Sequence, residues 1–111
     1  MDQIPEVDAA EARRVVESGE AILVDVRETE EWNAGHAPTA HHVPLGELDP
    51  EAFLHGKPTV FVCTVGSRSA EATRQLLEVG ASASNLSGGM FAWQQAGYPV
   101  VDEGGNNGRV V

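Results

Sequence analysis

The sequence of 111 residues predicts an α/β domain with a small, mostly parallel central sheet and helices on both faces. Short apolar runs alternate along the chain with amphipathic helical patterns and with turns that contain glycine or proline. The runs at 21–26 and 59–62 are almost continuously apolar, as is typical of parallel strands buried on both faces. In this architecture ligands bind beyond the carboxyl ends of the strands, so we expect the functional residues there.

The first half of the chain combines one long helix with shorter elements. Asp8 and Glu11 have capping-box spacing at a helix start, Pro38 and Pro44 bracket an extended segment, and Asp49 with a following proline is a typical helix start. The predicted elements are a helix from Asp8 to Gly19, a strand at 21–26, a helical turn at 29–35, an extended segment at 40–43 and a short helix at 49–54.

The second half continues the alternation. The predicted elements are a strand at 59–62, a helix from about Ser67 to Val79, a short strand or extended turn at 85–87 and a helix at 88–97. The core face of the helix after Ser67 is expected to carry Ala72, Leu76, Leu77 and Val79. We expect residues 1–101 to form a single domain and the Gly/Asn-rich segment 102–111 to be a loose, flexible tail.

Composition excludes several classes of function. With 17 acidic and 7 basic residues the formal charge is −10, so the chain should repel nucleic acid and anionic membranes, and any protein that docks on it should be basic. A single cysteine cannot form an internal disulfide. The sequence has neither a signal-peptide pattern nor an apolar stretch long enough to span a bilayer, so we expect a cytoplasmic protein.

Cys63 is the candidate nucleophile because of its position. It follows the apolar run 59–62 and precedes a loop that leads into a helix, where backbone N–H groups and the helix dipole favour a thiolate. Gly66 permits positive φ, the small polar Thr64 and Ser67 let successive N–H groups point inward, and Arg68 adds a positive charge. The alternative is that Cys63 is only a small core residue.

Five segments together resemble the single-domain rhodaneses, a sulfurtransferase family. They are 24–28 (VDVRE), 35–38 (GHAP), 42–45 (HVPL), 62–69 (VCTVGSRS) and 86–93 (LSGGMFAW), and they follow the order found in that family. The resemblance covers about residues 4–100 and implies a rhodanese-like fold and a thiosulfate sulfurtransferase type of enzyme. It also implies that Cys63 takes sulfane sulfur from a small anionic donor and holds it as a persulfide for cyanide, a thiol or a protein acceptor.

The resemblance further assigns a cradle around the persulfide, formed by Thr64, Val65, Gly66, Ser67 and Arg68. Three positions depart from the family pattern. Thr39 stands where glycine is common, Ala37 stands where a larger aliphatic residue is common, and Thr64 stands where thiosulfate-preferring members often have arginine. With one loop cation instead of two, we expect weaker binding of a dianionic donor.

Two supporting residues have two interpretations. Arg27 and Asp25 lie at the end of the strand 21–26, where Arg27 either stands at the mouth of the site as a second cation or forms a structural pair with Asp25 or Glu28. We expect no cofactor and no metal site. His41 and His42 are adjacent, and their side chains should point to opposite faces of a strand.

Two other functions remain open. Cysteine phosphatases and arsenate reductases also place a cysteine and an arginine around an anion, but the phosphatase loop has five residues between them, whereas four separate Cys63 from Arg68. The other alternative is a sulfur carrier or docking module with little turnover of small molecules. The sequence does not separate a free-standing enzyme from a component of a sulfur relay.

Overall fold

A computed structural model describes residues 3–111 as a five-stranded parallel sheet with helices on both faces, which confirms the predicted fold class. The strands stand in the order β1-β5-β4-β2-β3. They are β1 (Glu6–Val7), β2 (Ile22–Asp25), β3 (His41–His42), β4 (Thr59–Val62) and β5 (Ala83–Leu86). The helices are α1 (Ala9–Glu17), α2 (Thr29–Ala34), α3 (Ser67–Glu78) and α4 (Gly89–Gln95).

The core is divided by the sheet into two layers. Successive residues of a strand point to opposite faces, so Leu23 packs in the layer that contains α1 and α4, and Val24 packs in the layer that contains α3. Every residue of β4 is buried, as the continuous apolar run predicts. The sheet therefore holds β4, and the cysteine that follows it, at the centre of the fold.

Most predicted elements are confirmed, with small shifts in their bounds. Asp8 caps α1 and accepts a hydrogen bond from the Glu11 N–H at 2.8 Å. The short helix predicted at 49–54 is a 3-10 helix, Pro50–Phe53, and another at Leu45–Glu47 was not predicted. The predicted core position of Leu77 is wrong, because this side chain is 37% exposed while Leu76 is fully buried.

The segment 102–111, which we expected to be a loose tail, makes several backbone contacts. Val101, just before it, exchanges hydrogen bonds with His36, and the Arg109 N–H donates to the Ala34 carbonyl oxygen at 3.0 Å. A Cβ on Gly35 would lie 2.6 Å from the Arg109 nitrogen, so this close approach requires glycine. These contacts connect the segment to the end of α2. The domain boundary at residue 101 stays a prediction.

No helix among residues 3–111 is long and apolar enough to cross a membrane.

Candidate active site

The carboxyl ends of β2 and β4 bring the predicted site residues together. These strands are neighbours with Asp25 paired to Val62, and the Val26 N–H donates to the Val62 carbonyl oxygen at 3.0 Å. Arg27 and Cys63 therefore leave the sheet side by side, one toward α2 and the other toward α3. The sequence prediction that functional residues collect at this edge agrees with the geometry.

The loop after β4 wraps around the sulfur of Cys63. Gly66 has φ +117°, a left-handed conformation that glycine adopts without strain, and its N–H lies 3.1 Å from Cys63 Sγ. One helical turn later, the Ser69 N–H and the Ser69 hydroxyl lie 3.4 Å and 3.3 Å from the same sulfur. Cys63 is completely buried. The loop thus directs three hydrogen-bond donors at one buried sulfur atom.

These donors determine the acidity of the thiol. Burial raises the pKa of Cys63, but the Ser69 hydroxyl and the N–H groups of Ser69, Gly66 and Arg68 outweigh burial and hold that pKa below its ordinary value. Hydrogen bonds to the charged form favour the thiolate, which is the nucleophilic form of cysteine. The site therefore contains a thiol that is both shielded from solvent and more acidic than a free cysteine.

Asn85 on β5 contacts both residues that donate to the Cys63 sulfur, Gly66 and Ser69. Its Oδ1 lies 2.6 Å from the Ser69 hydroxyl oxygen, and its Nδ2 donates to the Gly66 carbonyl oxygen at 3.2 Å and to Glu6 Oε2 at 3.1 Å. The Ser69 hydroxyl has one proton and two acceptors within reach, Asn85 Oδ1 and Cys63 Sγ, so its hydrogen bond is shared between them. Asn85 holds both donor-bearing residues of the loop in place from the neighbouring strand.

The start of α4 closes the other side of the loop. The Met90 N–H donates to the Cys63 carbonyl oxygen at 2.8 Å, and the Phe91 N–H donates to the Thr64 carbonyl oxygen at 3.2 Å. Gly89 has φ +63°, and a Cβ at this residue would lie 2.6 Å from the Cys63 carbonyl oxygen. The loop carbonyls are thus satisfied by the free N–H groups of a helix end, which requires the backbones to approach closely at Gly89.

The Arg68 side chain is paired with a carboxylate. Its Nη1 and Nη2 lie 2.7 Å and 2.9 Å from the two carboxylate oxygens of Glu31 on α2, and Nη2 also lies 3.1 Å from the Thr64 hydroxyl oxygen. The Thr64 hydroxyl in turn lies 3.2 Å from Glu31 Oε2. The hydrogen bond with Arg68 lowers the Glu31 pKa to about 2, and Glu31 raises the pKa of Arg68. The predicted loop cation is therefore neutralised by a residue that the sequence analysis did not single out.

Arg27 and Asp25 form a buried pair. Both side chains are fully buried, and Arg27 Nη2 lies 2.8 Å from Asp25 Oδ2 and 2.6 Å from the Gly35 carbonyl oxygen. Arg27 Nη1 is buried without a hydrogen-bond partner among the described residues. Of the two interpretations of Arg27, this geometry matches the structural pair, because Arg27 does not stand at an open mouth. A supporting role in catalysis stays a prediction.

The remaining predicted cradle residues face outward. Val65 is 58% exposed at the tip of the loop, and Ser67 is exposed at the start of α3.

His36 and His42 stack on the two sides of Trp32, with ring centroids 3.6 Å and 4.7 Å away. Within residues 3–111 no group of three or more His, Cys, Asp or Glu side chains is placed to hold a metal ion.

Three residues of the site were missed by the sequence analysis: Ser69, Glu31 and Asn85. Ser69 ends the segment VCTVGSRS, six residues after Cys63. A hydroxyl at this position, in the first turn of the helix that follows the loop, was a detectable signal of a further donor to the thiol. Glu31 forms a capping box with Glu28, so its place at the start of α2 could be predicted, but its pairing with Arg68 could not. Asn85 carries no local signal of its function.

The fold and the site together define a class of protein: a parallel α/β domain with one buried thiol held by backbone amides at the carboxyl edge of its sheet. A profile of the rhodanese-like domain family matches residues 8–96. The chain belongs to this family, which confirms the resemblance found in the sequence.

Individual relatives agree with this assignment. The YtwF protein of Bacillus subtilis, named provisionally as a sulfurtransferase, is 36% identical over 95 residues, which are 83% of this chain and 92% of that protein. An uncharacterised protein of Synechocystis is 42% identical over 83 residues, 72% of this chain, and the chain spans about half of its length, 46%. The crystal structure of a rhodanese-related protein from Thermoplasma volcanium superposes with a TM-score of 0.80 at 29% identity, covering 89% of this chain and 99% of that one.

Proposed function

We propose that this protein is a sulfurtransferase in which Cys63 carries sulfane sulfur from a donor, such as thiosulfate, to cyanide, a thiol or a protein acceptor. The observation that carries the proposal is the set of three donors, from Gly66 and Ser69, around the buried Cys63 sulfur. The family assignment and the name of the Bacillus subtilis relative support the same chemistry.

In the first half-reaction the Cys63 thiolate attacks the outer sulfur of thiosulfate. A new S–S bond forms to the enzyme, the S–S bond of the donor breaks, and sulfite leaves with the electron pair of that bond. No proton has to be moved by the protein, because the attacking group is already a thiolate and the leaving group departs as an anion. The lowered pKa of Cys63 supports this starting state.

In the second half-reaction a nucleophilic acceptor attacks the outer sulfur of the persulfide, and the Cys63 thiolate leaves and is restored. The persulfide is itself anionic, so preorganised donors of the kind that surround Cys63 stabilise it as they stabilise the thiolate. The chain has no second cysteine that could attack the persulfide and discharge it as an internal disulfide. A ping-pong kinetic pattern is expected.

The alternatives differ in what they require of the loop. A sulfur carrier or docking module uses the same persulfide but exchanges sulfur only with particular proteins. A phosphatase loop has five residues between its cysteine and arginine, which makes room for a tetrahedral phosphate, whereas four residues separate Cys63 from Arg68. The shorter loop supports sulfur transfer over the transfer of a phosphoryl group.

The test is intact-protein mass spectrometry after incubation with a sulfane donor. The wild-type protein and Cys63→Ser are treated in parallel with thiosulfate and with an organic persulfide. We expect a mass increase of one sulfur atom on the wild type alone, and we expect cyanide or a thiol to remove it. Absence of the adduct with every donor would overturn the proposal, and phosphate-ester turnover that vanishes in Cys63→Ser would replace it with the phosphatase alternative.

A further inference from the structure

Glu31 occupies the face of Arg68 that an anionic donor would need. Both guanidinium nitrogens that point outward from the loop are bound by the two Glu31 oxygens, at 2.7 Å and 2.9 Å, in a bidentate arrangement. The Thr64 hydroxyl, the first side chain of the loop, also lies against Glu31 Oε2. An incoming dianion would have to displace a carboxylate that has ideal geometry for the guanidinium and is anchored to α2.

The pair is ionised throughout the physiological pH range, because the Glu31 pKa is about 2 and the Arg68 pKa is raised. Glu31 is held from its other side as well, since the Glu28 N–H donates to Glu31 Oε1 at 3.0 Å. The carboxylate is thus part of the capping of α2 and is not a mobile surface group.

The two arginines near Cys63 provide no net positive charge for binding an anion, because each is paired with a carboxylate. Arg68 is balanced by Glu31, and the nearby Arg27 is buried against Asp25. The exposed Glu30 adds negative charge on α2, next to Glu31. With the thiolate included, the surroundings of the sulfur carry a net negative charge, which disfavours the approach of a dianion and leaves an uncharged donor unaffected.

We propose that Glu31 is a specificity-determining residue that selects against dianionic donors, so that this site takes donors with an uncharged reacting end, such as the protonated persulfide of an organic thiol. The inference rests on the sulfurtransferase function proposed above. In the favoured step the Cys63 thiolate attacks the terminal sulfur of the neutral persulfide RSSH. The bond between the two donor sulfurs breaks, RS⁻ leaves with its electron pair, and the enzyme holds the SSH group, which then loses its proton to solvent and becomes the anionic persulfide.

The test compares two donors on three proteins. Thiosulfate and 2-hydroxyethyl persulfide are each mixed with wild type, Glu31→Gln and Glu30→Gln at one pH and constant ionic strength, so that the protonated fraction of the persulfide is the same in every reaction. The second-order rate constant for loading Cys63 is read from intact-protein mass spectra. Glutamine retains an oxygen that can accept the Glu28 N–H, so the capping of α2 should survive. Glu30→Gln removes the same charge one residue away and controls for a change in overall charge.

We expect Glu31→Gln to raise the thiosulfate rate constant about tenfold, equivalent to about 1.4 kcal/mol, and to leave the rate constant for 2-hydroxyethyl persulfide, which reacts through its protonated form, within about twofold. Glu30→Gln should change the thiosulfate rate constant less than Glu31→Gln. A thiosulfate rate that does not rise in Glu31→Gln, or that rises equally in Glu30→Gln, overturns the inference, while loading by 2-hydroxyethyl persulfide preserves the sulfurtransferase function. If neither donor loads wild-type Cys63, the proposed function itself fails.

Discussion

Ser69→Ala tests whether the loop donors set the reactivity of Cys63. The substitution removes a hydroxyl that lies 3.3 Å from the sulfur and leaves the two N–H donors of Gly66 and Ser69 in place. A hydrogen bond to a charged group contributes about 1.5–3 kcal/mol, and one pKa unit corresponds to about 1.4 kcal/mol. Because the hydroxyl also faces Asn85 Oδ1 at 2.6 Å, the lower end of this range applies. We therefore expect the Cys63 pKa to rise by about one unit.

The change in rate follows from two opposing effects. At a pH below the Cys63 pKa of both wild type and Ser69→Ala, the thiolate fraction of the variant is about tenfold lower than that of wild type. The more basic thiolate of the variant is about threefold more nucleophilic, given a Brønsted slope of about 0.4–0.5. The reaction of Cys63 with an uncharged aromatic disulfide should therefore slow about threefold at low pH and speed up about threefold at high pH. The two pH–rate curves are expected to cross.

The assay is the release of the aromatic thione from 2,2′-dithiodipyridine, followed by absorbance over a range of pH. Ser82→Ala makes the same chemical change at an exposed residue just before β5 and should reproduce the wild-type curve. Loss of the hydroxyl leaves Asn85 Oδ1 without its partner, at a cost of about 1–3 kcal/mol in the free energy of unfolding, so folding is verified by a thermal melt. A folded Ser69→Ala whose curve coincides with wild type would refute the assignment of the hydroxyl as a donor to the sulfur.

Two further predictions concern the framework of the site. The hydrogen bond with Arg68 lowers the Glu31 pKa to about 2. The ionised Glu31 carboxylate therefore contributes to the free energy of unfolding, by at most about 3 kcal/mol before solvent screening. This contribution is complete above about pH 5 and is lost as the pH falls toward 2. The difference in free energy of unfolding between wild type and Glu31→Gln, from urea melts, should shrink on acidification, and a constant difference would contradict the ion pair. Gly89→Ala should lower the free energy of unfolding by about 2–4 kcal/mol, because a Cβ there is strained and meets the backbone of the loop. Gly46→Ala, where a Cβ meets open space, is the control in the same melts. Similar free energies of unfolding for the two variants would show that the close approach at Gly89 is not needed.

The parts of this structure that the sequence predicts are those with local causes. The apolar run at 59–62 became β4 with the same bounds, because a fully buried parallel strand needs apolar side chains on both faces. The position of Cys63 followed directly, since the residue after a parallel strand lies at the carboxyl edge of the sheet. Gly66 was predicted to permit a turned backbone, and it has a left-handed φ and donates to the sulfur.

Other parts depend on contacts between distant segments and have no local signal. The two residues of β1 are too few to produce a periodic pattern, and they form a strand only because β5 offers an unpaired edge. Leu77 has the same apolar character as Leu76 but lies on the outer side of α3. The backbone contacts of Arg109 with the end of α2 depend on a glycine at position 35, which lies 74 residues earlier in the chain.

Arg68 illustrates the difference most clearly. Its spacing from Cys63 predicted a cation beside the thiol, and the backbone of Arg68 does contribute to the lowered pKa of that thiol. Spacing determines where the Cα lies, but the direction of a long side chain is decided by the strongest acceptor within its reach, and the Glu31 carboxylate is a stronger partner than the thiolate. Backbone N–H groups have no such freedom, because their directions are fixed by φ and ψ. The sequence could therefore predict the amide donors around Cys63, while the partner of the guanidinium required the three-dimensional arrangement of α2 and the loop.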